Sequence, residues 1–225
     1  MYLSPFSLLS LLVGVAAVGR GHLPSPAKML AYFGQNSQVE LAAGSKYHVD
    51  DDDSFATRLV HAALHQVGTI SDYDERYPKI PFPNGDVPAT VGTNADLIVR
   101  SYRGAGIDLQ TRIYQDKTAS RGSYPSRKGS SAPDTNVDQR HVPTLAAFFA
   151  RKGSVIPVSH RADDYKPGDI ITCRTTSGSI HIAIVVPAPV PGPPWIVHNL
   201  HWGPRLEDKL FECPITGHFR YLPGP

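Results

Sequence analysis

The chain has 225 residues, of which 41% are hydrophobic and 19% are charged. This length and balance fit one folded domain with flanking segments and exclude a wholly disordered protein. The net charge is +2 and there is no block of Lys or Arg, which argues against nucleic acid as a partner. Binding to duplex phosphates needs a clustered basic face.

The first residues have the pattern of an export signal. Residues 1–19 carry no charged side chain, and Leu8–Val18 form an apolar core. Ala17–Gly19 provides small residues at the usual cleavage spacing. We therefore expect a signal peptide at 1–19 and an exported protein, periplasmic or secreted, with an uncleaved signal anchor as the alternative. No later stretch is long enough to span a membrane, so none is expected after signal cleavage.

The remaining chain divides into an arm and a domain. Residues 20–50 are predicted to form a loosely ordered N-terminal arm, and residues 51–225 the folded domain. Four aspartates at 50–53 precede the apolar helical pattern that runs from Phe55 to Gly68. Acidic residues there would cap the free N–H groups and favour the helix dipole.

Two more helices and a series of strands follow. Helices are predicted near 94–102 and 144–152, and the polar, Gly/Ser-rich stretch 117–136 is predicted to be a surface excursion. Helices followed by consecutive strands indicate an α+β fold, with N-terminal helices packed on a C-terminal antiparallel β-sheet. The predicted strands are Ile170–Cys173, Ser179–Val186, Trp195–Asn199, Leu210–Cys213 and His218–Leu222.

Two strand histidines are the first candidates for chemistry. His181 lies within an apolar strand and His198 lies on the next strand. A single such histidine is more often a core residue than a catalyst, because histidine is of intermediate burial. Two such histidines on successive strands, after the tight turn Pro167–Asp169, favour a functional role. We expect them to form one site with the helix start Gly92–Asp96.

The order of these motifs resembles that of the NlpC/P60-type cysteine peptidases, which have a papain-like fold. More closely, the chain resembles the bacterial DUF1287 family of exported domains. The similar stretches lie within residues 55–222. Besides the strand motifs they are Tyr73–Asp74, Gly85–Pro88, Asp96–Arg103, Gly106–Gln110, Pro133–Asp134, Asn136–Asp138, Arg140–Pro143 and Ile215–Tyr221.

The resemblance implies a set of roles. In that family the helix start reads Gly-Val-Cys-Thr-Asp, and a cysteine there gains thiolate character from the helix N-terminus. In this chain the cysteine position holds Asn94. His181 would be the acid–base group and His198 the group that orients it. Asn199 is a weaker orienter, because neighbouring strand residues face opposite ways.

An amide is not a useful nucleophile, and losing a nucleophile can cost on the order of a million-fold in rate. Asn94 also suits an N-cap, which would explain its acceptance there. The sequence therefore predicts an exported pseudoenzyme that binds cell-wall peptide or a protein partner. The alternatives are an active amidase or peptidase on cell-wall peptides with a non-cysteine mechanism, and a purely structural exported domain.

Other polar residues have open roles. Asp96, Asp138 and Arg140 lie in matched stretches and are candidate binding residues. Pairing with Arg100 and Arg103 on its own helix face explains Asp96 better, whereas lining the cleft and attaching the loop explain Asp138 and Arg140 equally well. Cys173 and Cys213 are either a disulfide, as an oxidising compartment allows, or two buried thiols.

No metal or cofactor is expected. His61 and His65 have the spacing of two metal ligands, but Ala62 replaces the glutamate of the zinc-peptidase pattern. A metal held by His181, His198 and His201 lacks a fixed ligand spacing. The aromatic residues Trp195, Trp202 and Tyr221 fit core packing better than a sugar-binding platform.

Overall fold

A computed structural model describes residues 53–69, 72–127 and 129–223. The predicted signal peptide, the predicted arm and all of the acidic run except Asp53 lie outside these residues. Within the described chain there are four α-helices and six strands, which confirms the α+β class. The helices are α1 (Phe55–Leu64), α2 (Asn94–Gly104), α3 (Leu109–Ala119) and α4 (Val142–Lys152). The strands are β1 (Ser154–Val155), β2 (Ile170–Arg174), β3 (Ile180–Val186), β4 (Trp195–Asn199), β5 (Pro204–Glu207) and β6 (Ile215–Arg220).

All six strands belong to one antiparallel sheet in the order β1-β6-β2-β3-β4-β5. Strands β2 to β5 are consecutive neighbours, because short turns join them. Strand β6 returns to pair with β2 on the other side. The sheet therefore places β3 and β4, which carry the two histidines, between β2 and β5.

Helix α2 packs its apolar residues against one face of the sheet. Leu97, Ile98 and Tyr102 are fully or almost fully buried and share a core with Ile182 and Ile184 of β3. A smaller cluster covers the other face and consists of Tyr165, Ile171, Ala183, Val185, Ile196 and Leu210. Both faces of β3 are thus covered, which explains its nearly continuous apolar sequence.

The N-cap of α2 is Thr93, so the prediction that Asn94 caps the helix is wrong. Asn94 is the first helical residue. The Asp96 carboxylate accepts the Thr93 N–H at 2.7 Å and the Thr93 hydroxyl at 3.0 Å. A carboxylate in the first turn thereby satisfies a donor that the helix leaves free.

The prediction that an aspartate caps α1 is wrong as well, because the N-cap is Ser54. The Ser54 hydroxyl accepts the Thr57 N–H, and Asp53 instead contacts the Arg58 side chain. The helix ends at Leu64, and a turn carries the chain on to Gly68.

The predicted excursion at 117–136 is wrong at its start, since helix α3 runs to Ala119. Asp108 caps this helix by accepting the Gln110 N–H at 3.0 Å. Its apolar side is narrow, formed mainly by Leu109 and Ile113, so the pattern is weak in the sequence. Lys117, which looks like a surface residue, is buried against Asp138.

The predicted strand at Leu210–Cys213 is also wrong. Residues 210–212 form a turn, and the edge strand is β5, a few residues earlier. Leu210 is buried because it packs in the smaller cluster and not because it pairs in the sheet. Pro204 begins β5, a position at which proline is tolerated because the strand lies at the sheet edge.

Two buried ion pairs attach the loop before α4 to the helices. Arg140 contacts Asp96 at 2.6 Å, and Lys117 contacts Asp138 at 2.6 Å, with all four side chains at least nine-tenths buried. Pairing of Asp96 with arginines of its own helix does not occur, since Arg100 and Arg103 bind Asp86 instead. Among the described residues no helix is long and apolar enough to cross a membrane.

Replacement of Asp96 by asparagine is expected to destabilise the fold strongly. Asp96→Asn keeps the shape of the side chain but leaves the Arg140 charge buried without its partner, which costs about 3–5 kcal/mol. The free energy of unfolding in urea measures this loss. The control is Asp53→Asn, which removes an exposed pair with Arg58 and should change little. Equal, small losses in both variants would contradict a structural role for the buried pair.

Candidate functional site

A chain of hydrogen bonds joins the start of α2 to three strands. The Asn94 Nδ2 atom lies 2.8 Å from Nδ1 of His181 on β3. Nε2 of His181 lies 3.0 Å from Nδ1 of His198 on β4. Nε2 of His198 lies 2.5 Å from Oε2 of Glu207 on β5. The structure therefore brings together the three residues predicted to meet and adds a fourth.

The strand register explains why three of these side chains meet. Val185 pairs with Ile196, and Ile196 pairs with Glu207. Residues an even number of positions apart on a strand point to the same face, as do directly paired residues. His181, His198 and Glu207 therefore project from one face of the sheet, where β3, β4 and β5 run side by side.

The hydrogen bonds run in one direction along the chain. The Asn94 NH₂ group can only donate, so Nδ1 of His181 accepts from it. A neutral His181 then carries its proton on Nε2 and donates it to Nδ1 of His198. Nε2 of His198 in turn donates to the Glu207 carboxylate, so all three contacts are satisfied with both imidazoles neutral.

Burial keeps His181 neutral. Asn94, His181 and His198 are 8%, 2% and 3% exposed. Burial lowers the pKa of His181 to about 3, and the neighbouring His198 and His201 lower it further in the same direction. Burial is the largest single effect and would raise the pKa of Glu207, but the hydrogen bond from His198 and the nearby charges of Lys209 and Arg205 together outweigh it and leave the pKa below its usual value. The chain thus ends in an ionised carboxylate.

Tyr73 lies over the start of α2. Its hydroxyl lies near the backbone N–H of Asn94, and burial raises the pKa of its phenol to about 12. The Tyr73 ring contacts the exposed His201 ring, with centroids 4.0 Å apart. His201 has a left-handed backbone, with φ of 67°, in the turn between β4 and β5. Tyr73 thus lies beside one of the backbone donors that the first helical turn leaves free.

Asn199 points away from the histidines, as the alternation of strand residues predicts. Its Nδ2 lies 3.4 Å from the carbonyl oxygen of Gly92, and its Oδ1 is buried with no partner among the described residues. Asn199 therefore supports the loop that leads into α2 and does not contact His181.

The other predicted binding residues are held by internal contacts. Asp96 and Arg140 form their ion pair directly behind the helix start. Asp138 binds Lys117 and the backbone N–H of Asp134, so both of its oxygens are engaged. Loop attachment, one of the two explanations open from the sequence, describes these contacts.

The sequence alone misses Glu207 and Tyr73 as members of the site. The sequence predicts a strand at Leu210–Cys213 and not at β5, so it does not place Glu207 beside His198 on β4. Tyr73 is in an irregular segment whose path depends on tertiary contacts, such as the bridge of Asp72 with Val91. The Tyr73–Asp74 match was the one signal that pointed to this segment.

The two cysteines are free thiols that lie near each other. Cys173 is buried and Cys213 is half-buried. Burial raises the pKa of Cys173 to about 12, and the neighbouring Cys213 thiol acts in the same direction. Cys173 is also the direct cross-strand partner of His181. Its high pKa makes it a poor nucleophile as it stands.

Nothing in the described ranges forms a metal site. No group of three His, Cys, Asp or Glu side chains there is arranged to hold an ion. His61 and His65 are exposed on α1 and its end. Trp195 and Tyr221 pack against the core, whereas Trp202 is 43% exposed.

The fold and the site define an α+β domain with a buried Asn-His-His-Glu chain at a helix start. Residues 60–221 match the family described as a domain of unknown function, DUF1287, and the chain belongs to that family. It is 34% identical over 165 residues to the "Uncharacterized protein YijF" of Escherichia coli (strain K12), which covers 73% of this chain and 80% of that protein. No solved structure matches the chain.

The low pKa of His181 predicts a loss of stability in acid. An unfolded histidine binds its proton near pH 6.5, whereas folded His181 does so only near pH 3. Between these values the unfolded state holds more protons, so the contribution is complete above pH 6.5 and is lost as the pH falls toward 3.

His181→Gln should therefore lose less stability than the wild type between pH 7.5 and pH 5, because glutamine has no proton to gain. Urea unfolding at the two pH values measures the difference. His61→Gln, at an exposed histidine, is the control and should behave as the wild type. The same loss in all three proteins would show that His181 does not titrate in this way.

Proposed function

We propose that this protein is an exported, catalytically inactive relative of the NlpC/P60-type cysteine peptidases that binds cell-wall peptide. The observation that carries the proposal is the 2.8 Å contact of Asn94 with His181 at the start of a buried helix. In a thiol peptidase this is the place for the cysteine that gives its proton to the histidine. The chain has an amide there instead.

Three features argue against hydrolysis by the thiol mechanism. Asn94 has no ionisable proton and cannot form a nucleophilic anion. The acceptor atom of His181, Nδ1, is already occupied by Asn94, so it is not free to take a proton from water. The Tyr73 hydroxyl lies beside the Asn94 backbone N–H and competes for a donor of the type that would stabilise an oxyanion.

The arrangement of elements supports a papain-like architecture as part of this proposal. A helix begins beside an antiparallel sheet, its first residue contacts a histidine on one strand, and the next strand carries the residue that orients that histidine. A recurring arrangement of this kind is recognised by geometry and roles rather than by sequence position.

A binding role fits the groups that the site offers. An asparagine side chain has an oxygen acceptor and two N–H donors, and one donor suffices for His181. The remaining donor and acceptor match the C=O and N–H groups of a peptide. Next to the site, Tyr73, His201 and the exposed Trp202 supply aromatic surface for side chains of a ligand. Export, which the pattern of residues 1–19 supports, would place this surface beside the cell wall.

An active hydrolase is the second candidate. The observation in its favour is that His181, His198 and Glu207 form a continuous chain of hydrogen bonds through which a proton could be relayed. An inactive protein has no catalytic use for such a chain. In that case a ligand would displace Asn94 from Nδ1, and a water molecule would be activated there.

Incubation with defined peptidoglycan peptides should show binding without turnover. Calorimetry measures the affinity, and mass spectrometry of the peptides measures cleavage. Asn94→Leu removes both the donor and the acceptor at similar volume and is expected to weaken binding about tenfold, as the loss of hydrogen bonds implies. Gln115→Leu makes the same kind of change on the exposed side of α3 and should leave affinity unchanged.

The alternatives give different results. Cleavage by the wild type that is lost in His181→Ala would replace the proposal with the hydrolase. Absence of both binding and cleavage over the peptides tested, with intact folding, would favour a structural domain.

A further inference from the structure

The strand pairing brings Cys173 and Cys213 together from distant parts of the chain. Cys173 pairs with Ile215 across β2 and β6, and the Arg174 N–H donates to the Pro214 carbonyl at 3.1 Å. Cys213 directly precedes these residues. Cys213 is close enough to Cys173 to raise the pKa of its thiol, and the strand pairing places the two side chains beside each other, as a disulfide requires.

The sheet is irregular at this point. The β2–β6 register shifts between Thr172 and Cys173. An irregularity of this kind bends a strand and re-aims a side chain. Here it lies at the end of the pairing, beside the turn that contains Cys213, where the backbone can adjust to a new covalent bond.

The segment between the two cysteines carries most of the site. Residues 173–213 include β3, β4 and β5, and therefore His181, His198 and Glu207. Cys173 also pairs directly with His181, so the two side chains leave the same face of the sheet as neighbours. A bond between the thiols would close a covalent loop around the strands that hold the hydrogen-bond chain.

We propose that Cys173 and Cys213 are a disulfide-forming pair, and that their oxidation covalently links the two ends of the segment whose strands carry the site. The co-reactant is a disulfide donor, either a small molecule or a protein. The half-buried Cys213 reacts first, because it is the accessible member of the pair. This inference does not depend on the proposed function, since it concerns the covalent state of the strands and not a ligand.

The exchange proceeds in two balanced steps. The Cys213 thiol loses its proton and attacks one sulfur of the donor, which breaks the donor's S–S bond and releases one thiol. Cys173 then loses its proton and attacks the Cys213 sulfur, which releases the second thiol and forms the internal bond. Two cysteine thiols are oxidised, and one donor disulfide is reduced to two thiols.

The test treats the full chain with oxidised glutathione, with a sample reduced by dithiothreitol as reference. The expected result is the loss of both free thiols, a mass lower by about 2 Da from the two lost hydrogens, and no glutathione adduct. Closing this long loop should raise the melting temperature on the order of 5–15 °C. The His181 ring resonances should shift on oxidation, because its cross-strand neighbour has changed.

Cys213→Ser is the control, since it changes a half-buried side chain and leaves the buried Cys173 in place. It should show no gain in melting temperature and no shift of the His181 resonances after oxidation. The proposal is overturned if the wild type retains two thiols, keeps a glutathione adduct, or forms a disulfide-linked dimer. It is also overturned if its internal disulfide leaves the melting temperature unchanged.

Discussion

The contact between the first residue of α2 and the second residue of β3 organises the rest of the site. A buried imidazole needs partners for both nitrogens, because an unsatisfied polar group in the interior costs about 1–3 kcal/mol. Asn94 satisfies one nitrogen of His181, and His198 satisfies the other. The ion pair of Asp96 with Arg140 fixes the first turn of the helix that carries Asn94. If the Asn94 amide and the His181 imidazole separate, Nδ1 of His181 is left buried without a partner.

The carboxylate at the far end gives the chain its direction. Glu207 can only accept from His198 and the Asn94 NH₂ group can only donate to His181, so a neutral His181 fixes the proton positions on both rings. Both imidazoles are then uncharged, in agreement with the lowered pKa of His181. A buried chain of neutral rings ending in one ionised carboxylate resembles a relay for moving protons. With an amide at its other end, it has no group that can supply or use one, and this contrast underlies the binding role that we propose.

The sequence predicts the parts of this arrangement that have local signals. The helical period of apolar residues predicts α2 and α4, and runs of β-branched residues predict β2, β3 and β4. The histidines were found because a polar residue in such a run is conspicuous. Glu207 could not be predicted, since the apolar residues around Leu210 imitate a strand but pack against the sheet face instead. Tyr73 and the partners of Asp96 and Lys117 depend on loops whose paths are set by long-range contacts, for which a single sequence carries no periodic signal.

The most direct measurement of the central claim is the ionisation of a thiol introduced by Asn94→Cys. Thiolate absorbance near 240 nm, with the wild type subtracted, gives its pKa. A sulfur at a helix start beside a proton acceptor should ionise well below the ordinary value of about 8.5. Ser177→Cys, in the exposed turn between β2 and β3, supplies the reference thiol. A pKa at or above that of the reference would contradict the claim that residue 94 stands where His181 can take a proton from it.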